Sequence, residues 1–110
     1  MQDVLLVLTN VPDSAVAQRI AHSVVERRLA ACVNVLPAVR SIYQWQDKVE
    51  EADEVTLLIK CTRAGYPELE AAIKEAHPYD VPEIIAIPVT AGLPAYLKWV
   101  VSETKKDVDV

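Results

Sequence analysis

Between Ala31 and Trp45 the chain reads "ACVNVLPAVRSIYQW". Its odd positions are Ala31, Val33, Val35, Pro37, Val39, Ser41, Tyr43 and Trp45, nearly all apolar, whereas the even set includes Asn34, Arg40 and Gln44. A period of two marks a strand buried on one face. Drawn out without a break, such a strand spans on the order of 50 Å at ~3.3 Å per residue. The whole chain has 110 residues, and a compact domain of that size has a radius of gyration near ~13 Å, hence a diameter of roughly 35 Å. A tight turn at Gln46-Asp47 or Asp47-Lys48 then sends the chain back along "DEVTLLIKCT" from about Asp53 to Thr62, since Asp tolerates the positive φ that such turns demand. The far half of this hairpin, with Val39, Ile42, Tyr43 and Trp45, is expected to overhang its own globule. Leaving that apolar set in water costs several kcal/mol at ~25 cal/mol per Å² and leaves an open strand edge. Another copy of the chain is the economical cover, so an obligate homo-oligomer is expected. Pro37 cannot donate to a ladder, so a bulge or bend is expected there, and a strong bend that folds the tip back onto its own sheet is the competing way to bury it.

The remaining segments alternate between the two periods. Val4–Thr9, "VLLVLT", is a nearly continuous apolar run that suits a central strand, broken by Asn10-Val11-Pro12-Asp13. From Ser14 to Ala30 the period becomes 3.6, with Val16, Ala17, Ile20, Ala21 and Val24 on one stripe and Asp13 or Ser14 as cap. His22 falls on the wet stripe. Gly65-Tyr66-Pro67 opens a second helix with Leu69, Ala72, Ile73 and Ala76 inward. Pro82–Val89 is a strand, with Pro88 pointing to an edge or a bulge. A last helix runs from Pro94 to about Lys105 and ends in the tail "KKDVDV". The order βαββαβ plus a C-terminal helix predicts one α+β domain over residues 1–110, a ferredoxin-like sandwich with helices on one face of an antiparallel sheet.

Composition narrows the function. A net charge of −5, with the basic pairs Arg27-Arg28 and Lys105-Lys106 standing alone, argues against nucleic acid, which needs several convergent cations. No apolar run approaches the ~18 residues that cross a bilayer, and "MQDVLLVLTN" lacks the basic start and cleavage site of a signal peptide, so a cytoplasmic protein without membrane contact is expected. Two glycines, Gly65 and Gly92, cannot build a phosphate loop. Cys32 and Cys61 lie in apolar stretches, where cysteine behaves as a small buried hydrophobe. No local motif pairs a nucleophile with an oriented base, so an enzyme is not expected.

Four segments, "LAACVNVLPAVRSIYQW", "KVEEADEVTLLIKC", "HPYDVPEIIAIPV" and "YLKWV", resemble in order and spacing the CutA family, the divalent-cation-tolerance proteins. The resemblance covers nearly the whole chain. It implies a ferredoxin-like fold, a homotrimer built through its long hairpins and similar to the PII signalling trimers, a cytoplasmic location, and a part in tolerating copper and other divalent metals. It implies Cu2+ or another divalent cation as ligand and no organic cofactor. Some family members carry a cysteine at the end of the first strand and a His-His pair before Pro-Tyr as copper ligands. Here those positions hold Thr9 and Ala76-His77, so His77 remains as the candidate ligand. The hairpin tip departs as well, with Gln46-Asp47 where Glu-Gly is commoner.

His77 has two readings. Pro78 stops the helix before it, and a histidine in a last turn suits the helix dipole. As a metal contact it would need companions such as Asp80, Glu83 or groups of a neighbouring subunit. The acidic run Glu50–Glu54 lacks the alternation of a calcium loop and suits a solvated strand start. Tyr43 and Trp45 fit interface anchors or a stacking surface for a small ligand. Lys60, Arg63 and Lys98 are the cations an anion pocket would draw on. The leading function is a trimeric divalent-cation-tolerance protein that binds metal. A PII-like signalling module, binding a small anionic metabolite at subunit clefts, is the alternative, and a trimer without ligand is the third.

Overall fold

In a computed structural model, which describes residues 3–105, the order is β1 (Val4–Val11), α1 (Ser14–Glu26), β2 (Cys32–Trp45), β3 (Lys48–Thr62), α2 (Tyr66–Ala76), β4 (Ile84–Pro88) and α3 (Pro94–Glu103). The strands form one sheet in the order β2-β3-β1-β4, every pair antiparallel. This is the expected α+β, ferredoxin-like arrangement. Of the C-terminal tail only Lys105 falls within the described residues, its Nζ near the Glu68 carboxylate.

The core sits between the sheet and two helices. Val7 and Val11 of β1 and Leu57, Ile59 and Cys61 of β3 meet Ala17, Ile20 and Val24 of α1 and Leu69 and Ile73 of α2, the stripes that the helical periods mark out. Burial pushes the Cys61 thiol up to about 12, which keeps it protonated and inert. The sheet's other face carries Leu6 and Leu8 beside Ile87 and Ile85 of β4, the last two half-exposed. The third helix reaches that face, where Tyr96 meets Cys32, the register partner of Lys60. The helices thus do not all lie on one side.

Several boundaries differ from the sequence reading, each for a local reason. The first strand continues through Asn10 and Val11, paired with Thr56 and Val55. Helix α1 stops at Glu26 because Arg28 takes a left-handed φ of 58°. The amides of Arg28 and Leu29 then return to the carbonyls of Val25 and Val24, a Schellman closure with arginine where glycine is usual. The return strand β3 begins at Lys48, directly after the turn, so the acidic run Glu50–Glu54 lies inside the strand. Within it Glu51 and Asp53 both accept from Arg40 across the hairpin.

The long hairpin is present and outruns the sheet. Strand β1 pairs with β3 from Val55 onward, whereas β2 and β3 go on pairing out to Trp45 and Lys48. Seven residue pairs, Val39–Glu54 to Trp45–Lys48, therefore form a two-stranded ribbon of roughly 20 Å with no third strand beside it among the described residues. Between Leu36 and Val39 the register shifts, and Ala38 has φ 61°. This is the bulge expected at Pro37, one residue extra on β2. It sets Cys32 opposite Lys60 rather than Cys61, and both cysteines are free thiols. The long axis of the chain is 44 Å, against 28 and 24 Å across.

At the tip, Gln46 and Asp47 have φ 52° and 66°, the two left-handed positions of a type I′ turn. Asp accepts that conformation more readily than Gln. The substitution Gln46→Gly should stabilise the protein by about 0.5–1 kcal/mol, the relief of left-handed strain less the added freedom of the unfolded chain. Denaturant unfolding checks this, with an unchanged or lowered midpoint as the contrary result.

Candidate functional site

The segment "HPYDVPE", residues 77–83, joins α2 to β4 and passes under the root of the ribbon. Pro78 forces the residue before it out of the helical region, and His77 accordingly has φ −82° and ψ 135° as the helix cap. This turns the imidazole inward, to 7% exposure. Its Nε2 lies 2.7 Å from the Asn10 carbonyl oxygen, and its Nδ1 accepts from the Tyr79 amide at 3.2 Å. Accepting at Nδ1 places the proton on Nε2, so His77 is the neutral tautomer donating to β1. Both ring nitrogens are engaged inside the chain. The rings of His77 and Tyr79 stand 4.7 Å apart and tilted.

Asn10 gathers the surrounding elements. Its Oδ1 accepts from Thr56 Oγ1 of β3 at 2.5 Å, its Nδ2 donates to Glu83 Oε1 at 2.9 Å, and its carbonyl receives His77. One residue thus fastens β3, the connector and the end of α2. Nearby, Tyr79 Oη donates to Glu54 Oε2 at 2.8 Å. Glu54, 8% exposed, is the ribbon residue of β3 next to Val55, where the pairing with β1 stops. Burial first, and then this carboxylate, raise the Tyr79 phenol from 10 to about 12. The phenol is therefore a committed donor throughout the neutral range.

Ribbon and connector enclose a cleft of about 590 Å³. The ribbon gives it Tyr43, Trp45, Ser41 and Ile42, and the connector gives it Tyr79, Asp80, Val81 and Glu83. Glu54 and Asn10 line the region where the two meet. Among the described residues, three aromatic rings and three carboxylates line this space, with no lysine, arginine or histidine beside them.

The structure brings Asp80, Glu83, Tyr43, Trp45 and Ile42 together in one cleft, with His77 buried behind it. It does not bring Lys60, Arg63 and Lys98 there: Lys60 donates to Asn34, Arg63 to Asp3, and none of the three lines the cleft. Thr9 is fully buried, and its hydroxyl alone among the buried polar side chains of the described residues has no hydrogen-bond partner. Ala76 ends α2 half-buried. Among the described residues no group of three His, Cys, Asp or Glu side chains stands ready to hold a metal ion. Asn10 was not singled out from the sequence, and Glu54 entered it only as one member of the acidic run Glu50–Glu54. The one signal at Asn10 is an amide at the end of an apolar run, and it reads equally as a strand break.

Replacing Tyr79 by Phe leaves the buried Glu54 carboxylate without that donor. An unsatisfied buried acceptor costs about 1–3 kcal/mol, and thermal unfolding at neutral pH should register a loss of this size. The raised phenol also sets a pH window. A folded value of about 12 above the ordinary 10 gives stability that is fully present below pH 10 and is lost as pH climbs from 10 towards 12. Absorbance titration should show a late tyrosinate step that vanishes in Tyr79→Phe; a variant with the unaltered titration curve contradicts the assignment.

With this geometry in place, the comparisons with known proteins fall into line. The family model described as "CutA1 divalent ion tolerance protein" matches residues 5–103. A Divalent-cation tolerance protein CutA from Thermus thermophilus is 48% identical over 99 residues, 90% of this chain and 96% of the relative. Protein CutA of Mus musculus is 49% identical over 89 residues, 81% of this chain but about half (50%) of its own length. Among solved structures, the Thermus thermophilus divalent cation tolerance protein superposes with a TM-score of 0.91 at 46% identity, covering 93% of this chain and 99% of that one. CutA1 from Oryza sativa superposes with a TM-score of 0.93 at 36% identity, covering 96% and 97%. The chain belongs to the CutA1 divalent ion tolerance protein family.

Proposed function

We propose that this chain works as a cytoplasmic homotrimer in the response to divalent cations and carries out no chemical step of its own. The observation that carries this reading is the unaccompanied ribbon on a chain of the divalent ion tolerance family. Ile42 is 65% exposed, Tyr43 43% and Trp45 50%, and Val39 beside them is half-buried. Water is a poor medium for that set, and three copies that shelter one another's ribbons and the Ile85–Ile87 face remove it from water. Two free thiols suit a reducing compartment.

Cu2+ or another divalent ion is the ligand of this reading, held where copies meet. A metal needs several donors in one shell, and the described residues of a single chain offer no ready group. Asp80 and Glu83 at the cleft are the donors this chain contributes, completed by a neighbouring copy. His77 joins them only by giving up the Asn10 or the Tyr79 hydrogen bond. A second reading, a PII-like module relaying occupancy of a small ligand to a partner, draws support from the cleft itself. Its acidic lining speaks against the anionic metabolite expected for that class.

Calorimetric titration of the native protein with Cu2+ and Zn2+ tests the metal reading. Saturable binding, lost in Asp80→Asn/Glu83→Gln and kept in His77→Ala, is the expected result. Binding that disappears in His77→Ala instead makes the histidine a ligand. No binding below the millimolar range removes metal as the direct ligand.

A further inference from the structure

The sheet face opposite α1 and α2 carries one charge that its own chain leaves unbalanced. Residues paired across strands share a face, so the register sets out two neighbouring rows on it. One row runs Cys32, Lys60, Leu6 and Ile87, and the next runs Asn34, Leu58, Leu8 and Ile85. Lys60 is the single charged side chain in these rows. It stands half-buried on an inner strand, and its Nζ donates to Asn34 Oδ1. Asn34 is a neutral partner, and among the described residues no carboxylate forms an ion pair with Lys60.

In a lone chain, water balances such an ammonium. The homotrimer proposed above sets this face, with Ile85 and Ile87, against another copy, and that removes water from Lys60 as well. An ammonium taken out of water without a counter-charge is strongly unfavourable. Asn34 holds this one in mid-sheet, away from the rim to which a free lysine snorkels. The surface that covers the face must therefore bring apolar groups and a carboxylate together.

The ribbon has that composition. Its pairs Tyr43–Glu50 and Trp45–Lys48 lie on one pleat face, and Arg40–Asp53 and Ile42–Glu51 lie on the other. Glu51 and Asp53 are held by Arg40 within the chain. Glu50 is exposed, has no ion-pair partner among the described residues, and stands directly opposite Tyr43. Lys48, the cation of that face, adjoins the turn at the tip, where its long side chain keeps its charge in water. An aromatic face with a free carboxylate thus complements an aliphatic face with an unbalanced ammonium.

We infer that each ribbon lays its Tyr43–Trp45 face on this sheet face of a neighbouring copy, and that its Glu50 pairs there with the neighbour's Lys60. The contact rests on the homotrimer reading and deepens it, since it names the surface that covers the ribbon. The ion pair fixes the register of one copy on the next, because any other placement buries Lys60 unpaired.

Charge reversal in the full-length chain, read by sedimentation over a dilution series, tests the pair. Lys60→Glu and Glu50→Lys should each raise the concentration at which the assembly half-dissociates by about a hundredfold. The double variant should recover most of that loss. It carries both substitutions, so its recovery separates a lost contact from a lost fold. Two results overturn the inference: single variants that dissociate no more readily than the native protein, or a double variant no firmer than either single one. A native protein of one chain's mass removes the homotrimer reading and this contact with it, whereas a native assembly indifferent to the reversals removes the contact alone.

Discussion

A two-stranded ribbon that extends past its sheet is the constraint from which the rest of this molecule follows. Strands β2 and β3 continue for seven residue pairs after β1 has ended, and an isolated hairpin is marginal in water. Within the chain, two devices hold it. The bulge between Leu36 and Val39 adds twist at the point of departure. Arg40, bridging Glu51 and Asp53 across the strands, adds a small amount, since exposed ion pairs contribute about 0–1 kcal/mol. Neither covers Ile42, Tyr43 and Trp45. The ribbon is therefore stable in proportion to what packs on it, and this links the fold to the assembly.

The root of the ribbon is where structure and candidate site coincide. Asn10 joins β3, the connector and the end of α2, and Tyr79 reaches from the connector to Glu54. The buried His77 orders the connector by donating to a carbonyl on one side and accepting an amide on the other. A polar network of this kind rigidifies its surroundings only when its members are satisfied, and here each of these side chains has its partner. The cleft between connector and ribbon thus has one wall fixed to the core and one wall that leans out from it.

Much of this was legible in the sequence, for reasons particular residues make plain. The change from period two to period 3.6 located strands and helices, Asp13 announced a helix start and accepts from Val16 N as a cap should, and Pro37 announced the bulge. The end of α1 was not legible because Arg28 does what a glycine usually does. The last turn of β1 into Asn10 and Val11 was hidden because its support comes from Thr56 and Val55, far along the chain. His77 illustrates the same limit. Its place at a helix end could be read from Pro78 next door, but its partner Asn10, 67 residues away, could not. The acidic run looked like solvent-facing charge; the pleat of β3 splits it, sending Glu54 inward while Glu51 and Asp53 meet Arg40. Local pattern names the element, and long-range pairing decides what each side chain does there.

The account stands or falls on whether the ribbon is sheltered by other copies. Sedimentation of the native protein over a dilution series through the micromolar range measures this directly, with the chain mass of 12.2 kDa as the yardstick. A single species of three chains, unchanged on dilution, is the predicted result. A particle of one chain's mass, with Ile42, Tyr43 and Trp45 left in water, would contradict it.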